Sequence, residues 1–407
     1  MILKISTIER WLPAIATLWF FVAIDSIISW HPLSSLLLIS AAFGVIWGTM
    51  IVRPVEYTPK KRFASFLFLC FALWVILTQS DAILQVVGRA CYLIPFLFIL
   101  SWKKQLVSDT YSLLRKCIIF FAIGASAVSV LSLVGLIRFV PHFTIPPQEE
   151  LHVRLGYVYD VYGLFVMVRD PYQMLSFRAC GMMKEPGHFA VILGFIYMID
   201  RFQGRKPNFW IVICGLLTFS ANFLLFFMFA EWYSLIKPKN LLKILKWIPV
   251  ALLGLYIVFI FLPSGIKDQI YYLAYGRNLE QVVDAASTSS SIDDALDERA
   301  SNLPLIVYEK MSFTERMVGI GRYDTSYALS DYRGMIMAVG WVGMALSSFL
   351  YIILVIGIRR SMTFSLLCAF LLILLHRSWM LFWPYIYFLA FLAVSSYNRC
   401  DRRIANE

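Results

Sequence analysis

The run Phe177-Arg178-Ala179-Cys180-Gly181-Met182-Met183-Lys184-Glu185-Pro186-Gly187-His188-Phe189-Ala190 gathers two cations, a carboxylate and an imidazole around one proline. Proline suits the first turn of a helix, so Lys184 and Glu185 fall at a helix entrance, where the positive end of the dipole favours anions such as phosphate. The plainer alternative is that Arg178 and Glu185 only pair and anchor a loop at headgroup level. Further along, Arg299, Arg316, the segment Gly319-Ile320-Gly321-Arg322-Tyr323-Asp324 and Arg333 form a second set. Arginine presents a planar, permanently charged fork that matches phosphate oxygens, so several together suggest a diphosphate ligand. Singly, each reads better as a solvated or headgroup-facing charge.

Charges inside apolar runs are more selective, because membrane depth costs about 2.5 to 3.5 kcal/mol per charge on insertion scales. Asp25 and Arg89 are such residues. His376-Arg377, between two apolar runs, offers a base or a phosphate contact, or else an interfacial turn. His31, His142 and His152 lack metal-ligand spacing, and the seven cysteines include no CxxC pair. Neither a metal, a cofactor nor a disulfide framework is expected.

These residues sit in a chain of 407 residues that is 60% hydrophobic and 15% charged, with a mean hydropathy of +0.73. That composition excludes an ordinary soluble protein. The net charge of +11 would suggest nucleic acid in a soluble domain, but its distribution matters more than its sum, and no nucleic-acid partner is expected. The apolar runs are Trp11–Trp30, Leu33–Val52, Phe63–Ser80, Ile83–Leu100, Cys117–Ile137, Pro186–Ile199, Trp247–Leu262, Met335–Gly357, Met362–Leu375 and Trp379–Tyr397. Between them lies Phe209 to Ile236, divisible at Ser220-Ala221-Asn222 into Phe209–Phe219 and Phe223–Ile236. With that division, most of the 36 Lys and Arg fall on one side, as the positive-inside rule expects. The expectation is an all-α polytopic membrane protein of about 12 transmembrane helices with both termini cytoplasmic. Its N-terminal run is read as a retained first helix. Two large outer loops, 138–185 and 263–334, carry the candidate chemistry and enough aromatic residues for short interfacial helices.

The pattern Arg178, Gly181, Glu185, Pro186, Gly187, Ala190, followed by a large loop closing on Gly319-x-Gly321 and a G-x-x-G at Gly340 and Gly343, resembles the O-antigen polymerase and ligase superfamily. Topology carries the likeness along most of the chain; motifs carry it only at 178–190 and, more loosely, at 319–343. The resemblance implies a metal-independent, inverting, membrane-embedded glycosyltransferase acting on undecaprenyl-diphosphate-linked oligosaccharide at the periplasmic face of a bacterial inner membrane. Membrane lipid and a chain-length regulator are then expected partners. Arg178 and one or more of Arg299, Arg316, Arg322 and Arg333 would hold the diphosphate, with Arg89 and Arg377 as further contacts.

In that superfamily, ligases typically carry a histidine shortly before the G-x-x-G, where this chain has Ser326-Tyr327. The departure favours the polymerase branch. The base is then sought among Glu185, Asp324 and His376, with Glu185 first. A ligase, and a lipid-linked oligosaccharide flippase, remain the alternatives; a flippase would carry charges along a central cavity and need no long outer loops.

Overall fold

The computed structural model describes residues 4–31, 33–146, 158–169, 178–235, 267, 303–321, 329 and 331–395. Its helices are α1 (Ile5–Ala23), α2 (Ser34–Val52), α3 (Pro59–Gln79), α4 (Ile83–Leu100), α5 (Lys104–Leu133), α6 (Pro186–Phe202), α7 (Phe209–Leu217), α8 (Ala221–Leu235), α9 (Leu303–Lys310), α10 (Phe313–Val318), α11 (Tyr332–Val355), α12 (Arg360–His376) and α13 (Tyr385–Ser395). Five of them, α2, α3, α4, α5 and α11, are long and apolar enough to cross a membrane. The apolar run Trp247–Leu262 and the Ser326-Tyr327 position lie outside the described residues.

Helix α6 is buried on nearly every side from Pro186 to Asp200, and α13 is buried from Tyr385 to Ala393. Helices apolar all round belong at the centre of a bundle, and these two are the centre here. Around them pack Trp19 and Phe20 of α1, Phe68 and Phe71 of α3 and Phe96 of α4, all fully buried. Trp19 and Phe96 meet Phe388 edge-on at 5.9 and 6.2 Å.

One end of the bundle is closed by charge pairs. Asp200 accepts from Arg115 Nε at 2.8 Å and from the Tyr111 hydroxyl at 2.8 Å. Arg201 Nη2 donates to Glu231 at 2.7 Å, and the Tyr197 hydroxyl donates to the same carboxylate at 2.8 Å. Lys60 Nζ donates to the last carbonyls of α11, Leu354 and Ile356, as cations do at helix C-termini. The opposite end, where α6 and α11 begin and α1, α3 and α12 finish, carries the loops of interest.

Several boundaries differ from the sequence expectation. The first apolar run is helical only to Ala23; Ile24 is extended, and Ser26 bridges antiparallel to Met183 before a short 3-10 turn at Ile27–Trp30. The helix expected from Cys117 starts at Lys104 and carries Arg115 and Lys116 within it. The stretch 209–236 does divide, at Thr218–Ser220, with Phe219 at φ 48°. Yet α7 has only 9 residues, about 13 Å of helix, too short to cross a bilayer alone.

The all-α expectation is corrected in the first long loop, where a three-stranded antiparallel sheet stands in place of interfacial helices. Strands β1 (Phe143–Ile145), β2 (Val158–Tyr162) and β3 (Phe165–Arg169) lie in the order β1-β2-β3. Tyr162 pairs Phe165 across a two-residue turn whose first member, Gly163, has φ 66°, as a type II′ hairpin requires. The sheet is held on α5 by Phe165, which covers Gly124, where an added Cβ would overlap the ring. On its other side, the Val166 N–H donates to the Gly181 carbonyl at 2.8 Å.

Candidate functional site

The segment Arg178–Glu185 is held by three neighbours before α6 begins. The Ala179 N–H donates to the Leu217 carbonyl at 2.9 Å, Val166 bonds Gly181, and the Ile27 N–H donates to the Met182 carbonyl at 3.0 Å. Gly181 makes the turn at φ 62°, and a Cβ there would meet the Phe189 ring at 2.7 Å. Cys180 is fully buried with Ile27, Tyr159, Val161 and Val166, and burial pushes its thiol up to about 12. The segment is thus fixed against α1, α7 and the sheet before it delivers Lys184 and Glu185.

Glu185 is the N-cap residue of α6 and Pro186 its first helical residue, as the sequence predicts. The Glu185 carboxylate makes no capping hydrogen bond to its own helix. Instead Arg377 Nη1 donates to Glu185 Oε2 at 2.5 Å. Gly187 makes this approach possible, because an added Cβ would lie 2.7 Å from the Arg377 Cζ. Arg377 thereby lies over the first turn of α6.

Behind Glu185 stands His188, 2% exposed, with neither ring nitrogen hydrogen-bonded among the described residues. Its Nε2 is 3.7 Å from Glu185 Oε2 and its Nδ1 is 3.7 Å from Asp25 Oδ2. Trp379 closes the imidazole's face at 4.4 Å between ring centres. Asp25 also pairs with Lys184, whose N–H donates at 3.5 Å to the Asp25 carbonyl. The group therefore holds two cations and two carboxylates around one imidazole. Its formal charges cancel, an arrangement suited to moving a proton more than to gripping a polyanion.

Of the residues singled out from sequence, Glu185 and Arg377 are brought together, and His376, exposed at the end of α12, feels the charge of both. Arg178 Nε donates to the Thr218 carbonyl at 3.0 Å, capping the end of α7. Arg333 chelates its own N-cap, Asp331, through Nε at 2.9 Å and Nη2 at 2.6 Å. The Asp331 carbonyl in turn accepts from Ser378, next to Arg377. Arg316 donates to the Tyr308 and Glu309 carbonyls at 3.3 and 3.1 Å and lies over the Tyr308 ring. Arg89 is half-buried and has no ion pair within 4 Å among the described residues. It lies one turn of α4 before Tyr92, which packs edge-on with Trp383 at 5.0 Å and feels the charges of Lys184 and Asp25. Arg299, Arg322 and Asp324 lie outside the described residues. Among the described residues, Arg377 is the arginine that meets Glu185.

Sequence reasoning missed His188 and Trp379. His188 falls three residues after Glu185, the spacing that puts two side chains on one helix face, so its place was readable. Trp379 carried no such signal.

The second glycine motif has a structural role. Helix α11 breaks at Gly340, with φ 67° and ψ −178°, a conformation only glycine adopts readily. The break frees carbonyls that others satisfy: Val339 accepts from Trp74 Nε1 at 2.7 Å, Ala338 from Gln79 Nε2 at 2.5 Å, and Met337 from the Ile320 N–H at 2.8 Å. Gly319, at φ 89°, fits beneath, with room for no Cβ because the Ala338 oxygen would lie at 2.6 Å. The two glycine pairs meet and lock the end of the long second loop onto α3 and α11. Among the described residues, no cluster of His, Cys, Asp and Glu is arranged to hold a metal ion. No protein-family model, curated protein or solved structure matches the chain.

Proposed function

We propose that this protein is a membrane-embedded polysaccharide polymerase, transferring a growing glycan from a polyprenyl diphosphate onto a lipid-linked repeat unit. The reading takes the chain as a twelve-span inner-membrane protein, both termini cytoplasmic, with the Glu185 end facing the periplasm. One observation supports it above the others. Glu185 and Arg377, 192 residues apart and both selected by the chemistry expected of such an enzyme, are hydrogen-bonded over the N-terminus of a buried helix.

The chemistry follows from that pair. The acceptor hydroxyl attacks the anomeric carbon while the bond to the diphosphate oxygen breaks, and the hydroxyl proton passes to Glu185. Before the reaction Arg377 is the hydrogen-bonded partner of the Glu185 carboxylate. Once protonated, Glu185 releases its hold on the guanidinium, which becomes available to the departing diphosphate as that charge grows. Arg89, without an ion pair among the described residues, is the second cation of the proposal. At the other end Arg115 and Arg201 are paired with Asp200 and Glu231 and not left free to line a cavity, which weighs against transport.

The test is a surface-glycan gel from cells carrying Glu185→Gln or Arg377→Ala at wild-type protein levels. Single capped repeats in place of a ladder are expected. A normal ladder overturns the reading; polymer made but not attached to lipid A points to a ligase, and complete loss of surface glycan to a transporter.

A further inference from the structure

We infer that His188 and Asp25 form a proton relay behind Glu185, a role that rests on the polymerase reading. The imidazole lies between two carboxylates, 3.7 Å from each, one facing each ring nitrogen. Both gaps exceed hydrogen-bonding distance, and each closes with a shift under about 1 Å. A buried imidazole with no hydrogen bond to either nitrogen is costly, and in a core position an apolar side chain would pack there without that cost. What the imidazole adds is the ability to accept at one nitrogen while releasing at the other.

The groups whose charge reaches His188 are Glu185, Asp25, Arg377 and Lys184. Lys184 holds Asp25 and Arg377 holds Glu185, so each carboxylate has its own cation and neither needs the imidazole for charge balance. In the reaction, the acceptor oxygen loses its proton to Glu185 as the sugar–oxygen bond forms. Glu185 then passes the proton to His188 Nε2, His188 gives up its Nδ1 proton to Asp25, and Asp25, 19% exposed in its side chain, returns it to water. Protons balance at each step, and because the imidazole is left as the opposite tautomer, a half-turn of the ring about its Cβ–Cγ bond must present the bare nitrogen to Glu185 before the next turnover. Trp379 packs against the imidazole face and His188 itself is 2% exposed, so the ring is shielded along the path. His188 acts through Glu185 and is a positioning residue, not a catalytic one.

The experiment compares full-length wild type with His188→Gln, His188→Asn, Glu185→Gln and Asp25→Asn, each first shown to be folded, in membranes carrying the cell's own lipid-linked repeat units. For both His188 variants, kcat is expected to fall about 100-fold or more, with KM within about twofold and the pH dependence of kcat altered. In parallel, the protein labelled with 15N-imidazole histidine, with His188→Gln assigning the signal, is titrated by NMR. The His188 resonances should move in both Glu185→Gln and Asp25→Asn. Variants at His188 with wild-type kcat and pH profile, beside an inactive Glu185→Gln, would remove the relay and leave the polymerase reading standing. A fully active Glu185→Gln would remove the reading itself. Resonances indifferent to both carboxylates remove the relay whether or not turnover is seen.

Discussion

Gly187→Ala separates the function of the site from the stability of the fold. The added methyl group would overlap Arg377 Nη2 and lie 2.7 Å from its Cζ, where ordinary contact begins near 3.4 Å, so the guanidinium must retreat by about 1 Å. A shift of that size along the bond would take the 2.5 Å contact with Glu185 to about 3.5 Å, the edge of hydrogen bonding. With side chains 21% and 31% exposed, the pair contributes no more than about 1 kcal/mol to stability. Replacing glycine by alanine inside a helix gains roughly as much. The melting temperature in detergent should therefore move by only a few degrees. Misplacing a reacting or charge-stabilising group by around an ångström costs up to about 100-fold in rate, so chain elongation should drop by about 10- to 100-fold. The assay is the glycan ladder with membrane protein quantified in parallel. Arg377→Lys supplies the control: an ammonium without the planar fork makes less use of the space above Gly187, so Gly187→Ala should cost less in that background than in the wild type. Costs that simply add across the two positions, or a Gly187→Ala protein with a normal ladder, would refute the link between this glycine and the Arg377–Glu185 bond.

Gly340→Ala should fail to accumulate as folded protein, since its Cβ would lie 2.5 Å from the Met317 and Val318 carbonyl carbons in a backbone conformation open only to glycine; a loss of about 3 kcal/mol or more is expected, and a wild-type melting curve contradicts it. Cys180 should resist a maleimide in the folded protein and react fully in denaturant, because it is buried and its thiol is pushed up to about 12; rapid native labelling would show that the segment opens. Glu56 is held below the usual carboxylate range by its hydrogen bond to Lys61, so the pair stabilises the fold above the unfolded carboxyl pKa and the contribution disappears as pH falls through the lowered value. With Glu56 48% exposed the effect is small: Glu56→Gln should shift the melting temperature by a degree or two at pH 7 and by nothing at pH 3, and an equal shift at both would argue against the pair.

The helices were legible wherever an apolar run was long and ended in polar or proline-bearing residues. Thr58-Pro59, Glu185-Pro186 and Asp331 each begin a helix where the residue type says it should, the first and last by accepting a backbone N–H. The sheet left a fainter trace in the sequence, two short runs rich in β-branched and aromatic residues separated by Gly163-Leu164. Their aromatic residues fit an interfacial reading equally well, and neither run alternates apolar with polar residues. The kink at Gly340 depends on carbonyls being met by Trp74 and Gln79 from α3, more than 250 residues away, which no local pattern reveals. The site divided along the same line. Glu185 announces itself through its helix entrance, and Arg377 through its isolation between apolar runs. Arg178, Arg316 and Arg333 look identical to Arg377 in sequence, and only the fold shows them bonded to carbonyls or to a neighbouring carboxylate.

Helix length bears on how such a site handles water. From Glu185 to Asp200, α6 rises about 22 Å, and α12, at 17 residues, rises about 25 Å. Both are shorter than the roughly 30 Å of bilayer hydrocarbon, while α5 at 30 residues and α3 at 21 exceed or match it. With Arg115 and Asp200 at one polar boundary, as the proposed sidedness has them, Glu185 and Arg377 sit several ångströms below the other. Backbone at that depth must be paired within the protein, and the bonds from Val166 to Gly181, Ile27 to Met182 and Ala179 to Leu217 meet that demand. The recess lowers the local dielectric, so the exchange of Glu185 for a departing diphosphate as the partner of Arg377 counts for more than it would at the surface. A proton accepted in such a recess has few routes out, and the side chains of His188 and Asp25 provide one.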